Sequence, residues 1–113
     1  MDSRTLKNLL AEGESARLDF KSQQYPFAGP SLGQKGELLK DILAMANASR
    51  EVDAFILIGI KEQPGGRPNI VGITDHLDDA DLQQFVNSNT NRPIRFSYFE
   101  SQFDGKTLGI PSC

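Results

Sequence analysis

The sequence has few of the residues that build disulfide frameworks, metal clusters or membrane spans. Its 113 residues include one cysteine, one histidine and no tryptophan. Because Cys113 is the single cysteine, an intramolecular disulfide and a cysteine-rich zinc site are both excluded. No apolar run approaches the roughly 20 residues of a membrane helix, and no apolar signal segment opens the chain. We therefore expect a cytoplasmic protein with no membrane partner.

The chain also lacks an excess of positive charge. Twelve Lys and Arg against fifteen Asp and Glu give a net charge of −3. Nucleic-acid affinity comes largely from cations that neutralise phosphates, so such a role has to rest on a local basic patch. A phosphate loop is also missing, because Gly65-Gly66 is not followed by Lys-Ser/Thr and a helix, which excludes nucleotide hydrolysis by that route.

The length predicts one domain over residues 1–113. A strand-like segment at 106–110 comes just before the last residues. We therefore expect this domain to be the N-terminal part of a longer protein, covalently linked to a C-terminal region.

A short apolar run at 54–60 organises the rest of the chain. It is rich in β-branched residues, which predicts a central strand buried on both faces. Gly59 marks a point where another backbone or a ligand passes closely. Helices are predicted over 4–11, 34–49 and 75–89, a loop over 22–36, and further strands over 16–21, 69–73, 94–99 and 107–110. This order predicts an α+β domain, with about three helices packed on a mixed, mostly antiparallel sheet.

Three carboxylates are candidates for a metal site. Glu14 and Asp19 flank the start of the first strand, and Glu62 follows the central strand, so they converge if the two strands are neighbours. Their oxygens suit Mg²⁺ or Mn²⁺, which would activate water for phosphate hydrolysis, and Lys21 would steady the charge on phosphate. The alternative is that these charges are solvated and that Lys21 pairs with Asp19 or Glu14.

Scattered basic residues are candidates for nucleic-acid contacts. Arg50 follows the main helix, where Asn47 and Ser49 can satisfy the last helical carbonyls. The other candidates are Arg67, Arg92, Arg95 and Lys106. With Tyr98 and Phe99 they can form a surface for stacking and phosphate binding, although a strand that simply buries Phe96 explains the same pattern. His76, the lone histidine, is predicted to cap a helix or lie at the surface.

Four segments in order resemble the Schlafen AlbA-like domain family over nearly the whole chain. Residues 14–21 correspond to the family pattern E-x4-E-F-K, and residues 44–48 correspond to the end of a helix that reads A-F-A-N-T in the family. Residues 56–60 correspond to a strand that ends I-G-V, and residues 70–72 to a short I-V-G strand. The resemblance implies nucleic-acid binding. Bacterial relatives are usually described as DNA-binding transcriptional regulators, and animal relatives use the domain as a metal-dependent ribonuclease. The nuclease carboxylates fall on Glu14, Asp19 and Glu62.

Two departures from the family pattern affect the site. Asp19 replaces the usual glutamate and shortens the reach to a metal by one methylene, and Arg50-Glu51 replaces the usual Gly-Gly. Three hypotheses follow. The first is a domain that binds DNA or RNA without catalysis, and the second is an endoribonuclease-like enzyme that uses the three carboxylates. The third is a protein-interaction or homodimerisation domain, favoured by the acidic charge balance and by an open sheet edge at the C-terminal hairpin.

Overall fold

A computed structural model describes residues 1–25 and 32–113. Over these residues the chain forms three helices and six strands. The elements are α1 (Ser3–Glu12), β1 (Leu18–Lys21), α2 (Leu32–Ala48), β2 (Phe55–Ile58), β3 (Ile60–Lys61), β4 (Asn69–Ile70), α3 (Asp79–Ser88), β5 (Ser97–Phe103) and β6 (Lys106–Ser112). None of the described helices has the length and apolar character needed to cross a membrane.

The main sheet has the strand order β1-β2-β6-β5. β1 and β2 are parallel, with Leu18 opposite Phe55, whereas β6 is antiparallel to both of its neighbours. The parallel pair is possible because α2 carries the chain from the end of β1 back to the start of β2. The predicted α+β architecture with a mixed, mostly antiparallel sheet is therefore confirmed.

Helices cover both faces of this sheet. Alternate residues of β2 point to opposite faces, so Ile56 packs in one core cluster with α2 and α3, and Leu57 packs in a second cluster with α1. Ile56, Leu57 and Ile58 are almost fully buried. The prediction of a central strand buried on both faces is confirmed.

The central strand breaks at Gly59, where φ is +110°. A side chain there would meet the Cα of Gly72 at 3.0 Å, and the Gly59 carbonyl accepts hydrogen bonds from the Val71 and Gly72 amides. The close approach predicted at Gly59 is thus made by another part of the backbone. β3 leaves the main sheet after this break and pairs with β4.

Helix ends follow capping chemistry. The Asp2 side chain accepts a hydrogen bond from the Thr5 amide at 2.8 Å at the start of α1, and Gly13 ends the helix with φ of +81°. α3 begins at Asp79 rather than at residue 75, because the Asp78 side chain caps it by accepting from the Asp81 amide.

Several further predicted boundaries were wrong. The predicted loop over 22–36 overlaps α2, which begins at Leu32 and includes Gly33 and Gly36; residues 26–31 of that loop lie outside the described residues. Glycine costs a helix about 1 kcal/mol relative to alanine, and burial of Leu38 and Ile42 on the same helix offsets this cost. β4 ends at Ile70 rather than at residue 73. β5 begins at Ser97 rather than at residue 94 and extends to Phe103, and β6 extends to Ser112.

Candidate functional site

The fold brings the three predicted carboxylates together at the free edge of β1. A tight turn, in which Ser15 and Leu18 exchange backbone hydrogen bonds, folds residue 14 back beside β1. Because β1 is parallel to β2, and β3 continues past the end of β2, Glu62 reaches the same edge. Glu14 interacts with both Asp19 and Glu62. We call Glu14, Asp19, Glu62, Lys21 and Asp41 the acidic edge.

The pKa of Glu14 is raised. Partial loss of hydration is the first cause, and the negative charges of Glu62 and Asp19 add to it, as do hydrogen bonds that the protonated form makes with them. The side chain is nevertheless exposed, so solvent screens the repulsion. Mutual repulsion of this kind is characteristic of carboxylates that share a small volume.

These carboxylates suit a hard divalent cation in chemistry but are not arranged as a ligand set. Within residues 1–25 and 32–113, no three His, Cys, Asp or Glu side chains are grouped so that they could hold a metal ion. Asp19 is also drawn toward Lys21, whose Nζ lies 3.6 Å from its Oδ2. The trio is therefore a cluster of mutually repelling carboxylates centred on Glu14.

Lys21 is committed to two carboxylates. Its Nζ lies 3.4 Å from Asp41 Oδ2 in addition to the contact with Asp19, and it stands 5.8 Å from the centre of the Tyr25 ring. Partial burial acts to lower the pKa of Lys21, but the charges of Asp19 and Asp41 together outweigh it, so the pKa is raised. The ammonium group is thus held in an ion-pair network with Asp19 and Asp41.

Tyr25 completes this network. Its hydroxyl donates to Asp41 Oδ2 at 2.6 Å, and the residue is 7% exposed. Burial, followed by the hydrogen bond to Asp41, raises the pKa of Tyr25, so it remains a neutral donor. Asp41 was not among the predicted site residues. It lies three residues after Leu38 and four before Met45, so the helical spacing places it on the buried face of α2.

Three of the predicted basic residues lie at one end of the sheet. Arg50 follows α2, next to Ser49, whose hydroxyl donates a hydrogen bond to the Ala46 carbonyl at 2.8 Å and so satisfies one of the last helical carbonyls, as predicted. Arg92 and Arg95 precede β5, whose first residue is opposite Ser112 at the end of β6. The backbone of Cys113 in turn pairs with Ala54, just after Arg50. We call Arg50, Arg92 and Arg95 the arginine end.

The guanidinium groups of the arginine end are uncommitted. All three residues are exposed, and none of these side chains makes an ion pair or a hydrogen bond to any other described residue. Arg67 and Lys106 were predicted as part of the same basic set, but they lie near the opposite end of the β5–β6 hairpin. Each strand of this hairpin has seven residues, so its two ends are about 20 Å apart.

Tyr98 is not a stacking platform, which corrects the sequence prediction. It is 7% exposed, and its hydroxyl accepts a hydrogen bond from Gln24 Nε2 at 2.8 Å. His76 Nδ1 lies 2.8 Å from the same oxygen and His76 Nε2 lies 3.4 Å from Glu100, so His76 neither caps a helix nor lies free at the surface. Gly109 makes this packing possible, because a side chain there would meet the Tyr98 hydroxyl at 2.3 Å.

The described residues form an α+β domain with an acidic cluster at the β1 edge of the sheet and unpaired arginines in the loops that precede β2 and β5. Its sequence matches the family model described as "Schlafen, AlbA_2" over residues 14–112. The chain therefore belongs to the Schlafen AlbA_2 family, which confirms the resemblance read from its motifs.

A solved structure has a similar fold. It is the solution NMR structure of the N-terminal domain of a RecG-related protein from Nitrosomonas europaea, named for its relation to an ATP-dependent DNA helicase. The TM-score is 0.57 at 22% identity, and the match covers 96% of this chain and 69% of the other. Among curated proteins, no relative matches significantly.

Proposed function

We propose that the chain is a nucleic-acid-binding domain and that the arginine end makes its phosphate contacts. The observation that carries this proposal is that Arg50, Arg92 and Arg95 are exposed and have no partner within the described residues. A free guanidinium can bind phosphate through two parallel hydrogen bonds without first breaking an ion pair. Membership of the Schlafen AlbA_2 family supports the same function.

The net charge of −3 does not oppose this proposal, because the negative charge is partly concentrated at the acidic edge. A nucleic acid is attracted to a local positive potential and is repelled from an acidic region on the same protein. The two regions together would orient the ligand on the domain. Of the predicted phosphate contacts, Lys21 is the least suitable, because its charge is already paired.

The test is a salt-titrated binding assay with labelled single-stranded RNA and duplex DNA. The triple variant Arg50→Gln/Arg92→Gln/Arg95→Gln should bind at least about tenfold more weakly at 0.1 M salt. Its slope of log affinity against log salt should be smaller by about 2, as expected when three single-strand phosphate contacts are lost.

The matched control is Arg4→Gln/Lys40→Gln/Lys61→Gln, which removes the same charge from exposed positions elsewhere. It should retain most of the binding. Equal losses in both variants would mean that net charge alone drives binding, and the arginine end would have no special role.

A second candidate function is metal-dependent cleavage of nucleic acid at the acidic edge. The observation that favours it is the approach of Glu14 to both Asp19 and Glu62. We infer that, if the domain cleaves, these side chains rearrange before they bind Mg²⁺ or Mn²⁺. Cleavage of labelled RNA that requires Mn²⁺ and is lost in Glu14→Gln would support this function; intact RNA under the same conditions would contradict it.

A further inference from the structure

A cavity lies away from both the acidic edge and the arginine end. It has a volume of about 480 Å³, which is within the range of small-ligand sites, and it opens between α1, the β3–β4 hairpin and the β5–β6 turn. The residues that matter for its chemistry are Lys7, Leu10, Arg67, Ile70, Phe103 and Asp104. We call it the hairpin cavity.

The walls of the hairpin cavity are apolar. Leu10 and Ile70 are only partly buried against the core cluster beneath α1, so they supply the accessible wall, whereas Phe103, at 6% exposed, lies behind them as the floor. These side chains are fixed by the core, so the cavity offers a rigid apolar surface. Such a surface gains free energy when a flat, poorly hydrated group covers it.

Two cations and one carboxylate surround these walls. Lys7 and Arg67 are exposed, and neither makes an ion pair with another described residue. Asp104 stands in the tight turn between β5 and β6 with φ of +51°. The cavity therefore combines an apolar surface, a pair of free positive charges and a hydrogen-bond acceptor.

We propose that the hairpin cavity binds a nucleotide, with its base on the apolar wall, its phosphate on Lys7 and Arg67, and a base N–H or sugar hydroxyl donating to Asp104. The base covers the partly exposed Leu10 and Ile70, the phosphate meets the two cations, and the N–H or hydroxyl meets the carboxylate. An acidic peptide with an aromatic side chain matches the wall and the cations but brings its carboxylates toward Asp104. The nucleotide is therefore the better fit.

This inference deepens the proposed function, because it assigns a second contact for the same nucleic acid. The hairpin cavity and the arginine end lie at opposite ends of the β5–β6 hairpin. Substitutions at one end leave the other intact. The two proposals can therefore fail separately.

The experiment is an NMR titration of the ¹⁵N-labelled chain with AMP, GMP, CMP and UMP. We expect at least one nucleotide to shift the amides of Lys7, Ile70 and Phe103. Its affinity should fall at least about fivefold in Lys7→Gln and in Arg67→Gln, and should partly recover in Lys7→Arg. Lys40→Gln, an exposed lysine on α2, is the matched control and should bind as the unmodified chain does.

Several results would overturn the proposal. They are the absence of shifts at the cavity at millimolar nucleotide, equal shifts with inorganic phosphate alone, or tighter binding of an acetylated Glu-Phe-Glu tripeptide than of every nucleotide. The triple arginine-end variant should keep nucleotide binding at the cavity even where oligonucleotide binding is lost. Loss of nucleotide binding in that variant would place the nucleotide at the arginine end and contradict the hairpin cavity.

Discussion

The acidic edge and the arginine end differ in how their charges are used. At the acidic edge, Lys21 is shared between Asp19 and Asp41, and Asp41 also accepts from Tyr25. At the arginine end, the three guanidinium groups make no ion pair or hydrogen bond with another described residue. Charges that are paired contribute to the fold, whereas exposed charges without partners contribute little to it and remain available to a ligand.

The largest difference should appear in folding stability. Asp41→Ala removes the partner of both Lys21 and Tyr25, so we expect it to lower the free energy of unfolding by about 1–2 kcal/mol, even though alanine favours the helix. Arg95→Ala should change it by less than about 0.5 kcal/mol. Urea unfolding followed by circular dichroism measures both.

Two controls make the comparison specific. Asp41→Asn keeps an acceptor for the Tyr25 hydroxyl and should recover part of the lost stability, while Lys40→Ala reports the effect of alanine at an exposed neighbouring position of α2. The contrast between the two regions would be lost if Asp41→Ala and Arg95→Ala unfolded at the same urea concentration.

A smaller effect is expected from the repulsion around Glu14. Its pKa is raised in the folded chain, so between about pH 4.3, the ordinary value for glutamate, and the raised pKa the folded state binds more protons than the unfolded state. The free energy of unfolding therefore falls as pH rises through this window. Glu14→Gln should remove that penalty and stabilise the chain at pH 7 by less than about 1 kcal/mol, because the side chain is exposed and screened.

Melting temperatures at pH 3 and pH 7 check this prediction. The gain from Glu14→Gln should be present at pH 7 and absent at pH 3, where glutamate is protonated in both states. Glu51→Gln, an exposed glutamate between α2 and β2, should show no such difference. A stabilisation of the same size at both pH values would mean that charge repulsion at the acidic edge is not its cause.

Local patterns were enough to predict most of the fold. The unbroken apolar run at 54–60 placed the central strand, and Gly59 marked the backbone crossing that the Gly72 contact confirms. Element ends were less predictable, because α2 runs through Gly36 and β6 runs through Pro111, positions at which local propensity favours an end. Burial of the flanking residues overrides local propensity there.

The sequence predicted which residues form the candidate site better than it predicted which of them form ion pairs and hydrogen bonds with one another. The motif around Asp19 and Lys21 identified the acidic edge, and the adjacency of β1 and β2 brought in Glu62. Sequence spacing could not show that Asp41 and Tyr25 hold Lys21, because those contacts form only when α2 packs on the sheet. Nor could it separate Arg67 from the arginine end, because that separation depends on which end of the β5–β6 hairpin each loop approaches.

The most direct test of the central claim is to map the binding surface of a short single-stranded oligonucleotide by NMR on the ¹⁵N-labelled chain. We expect the largest amide shifts at Arg50, Arg92 and Arg95, with little change at Glu14 and Asp19 in the absence of divalent metal. Shifts concentrated at the acidic edge, with the arginine end unchanged, would contradict it.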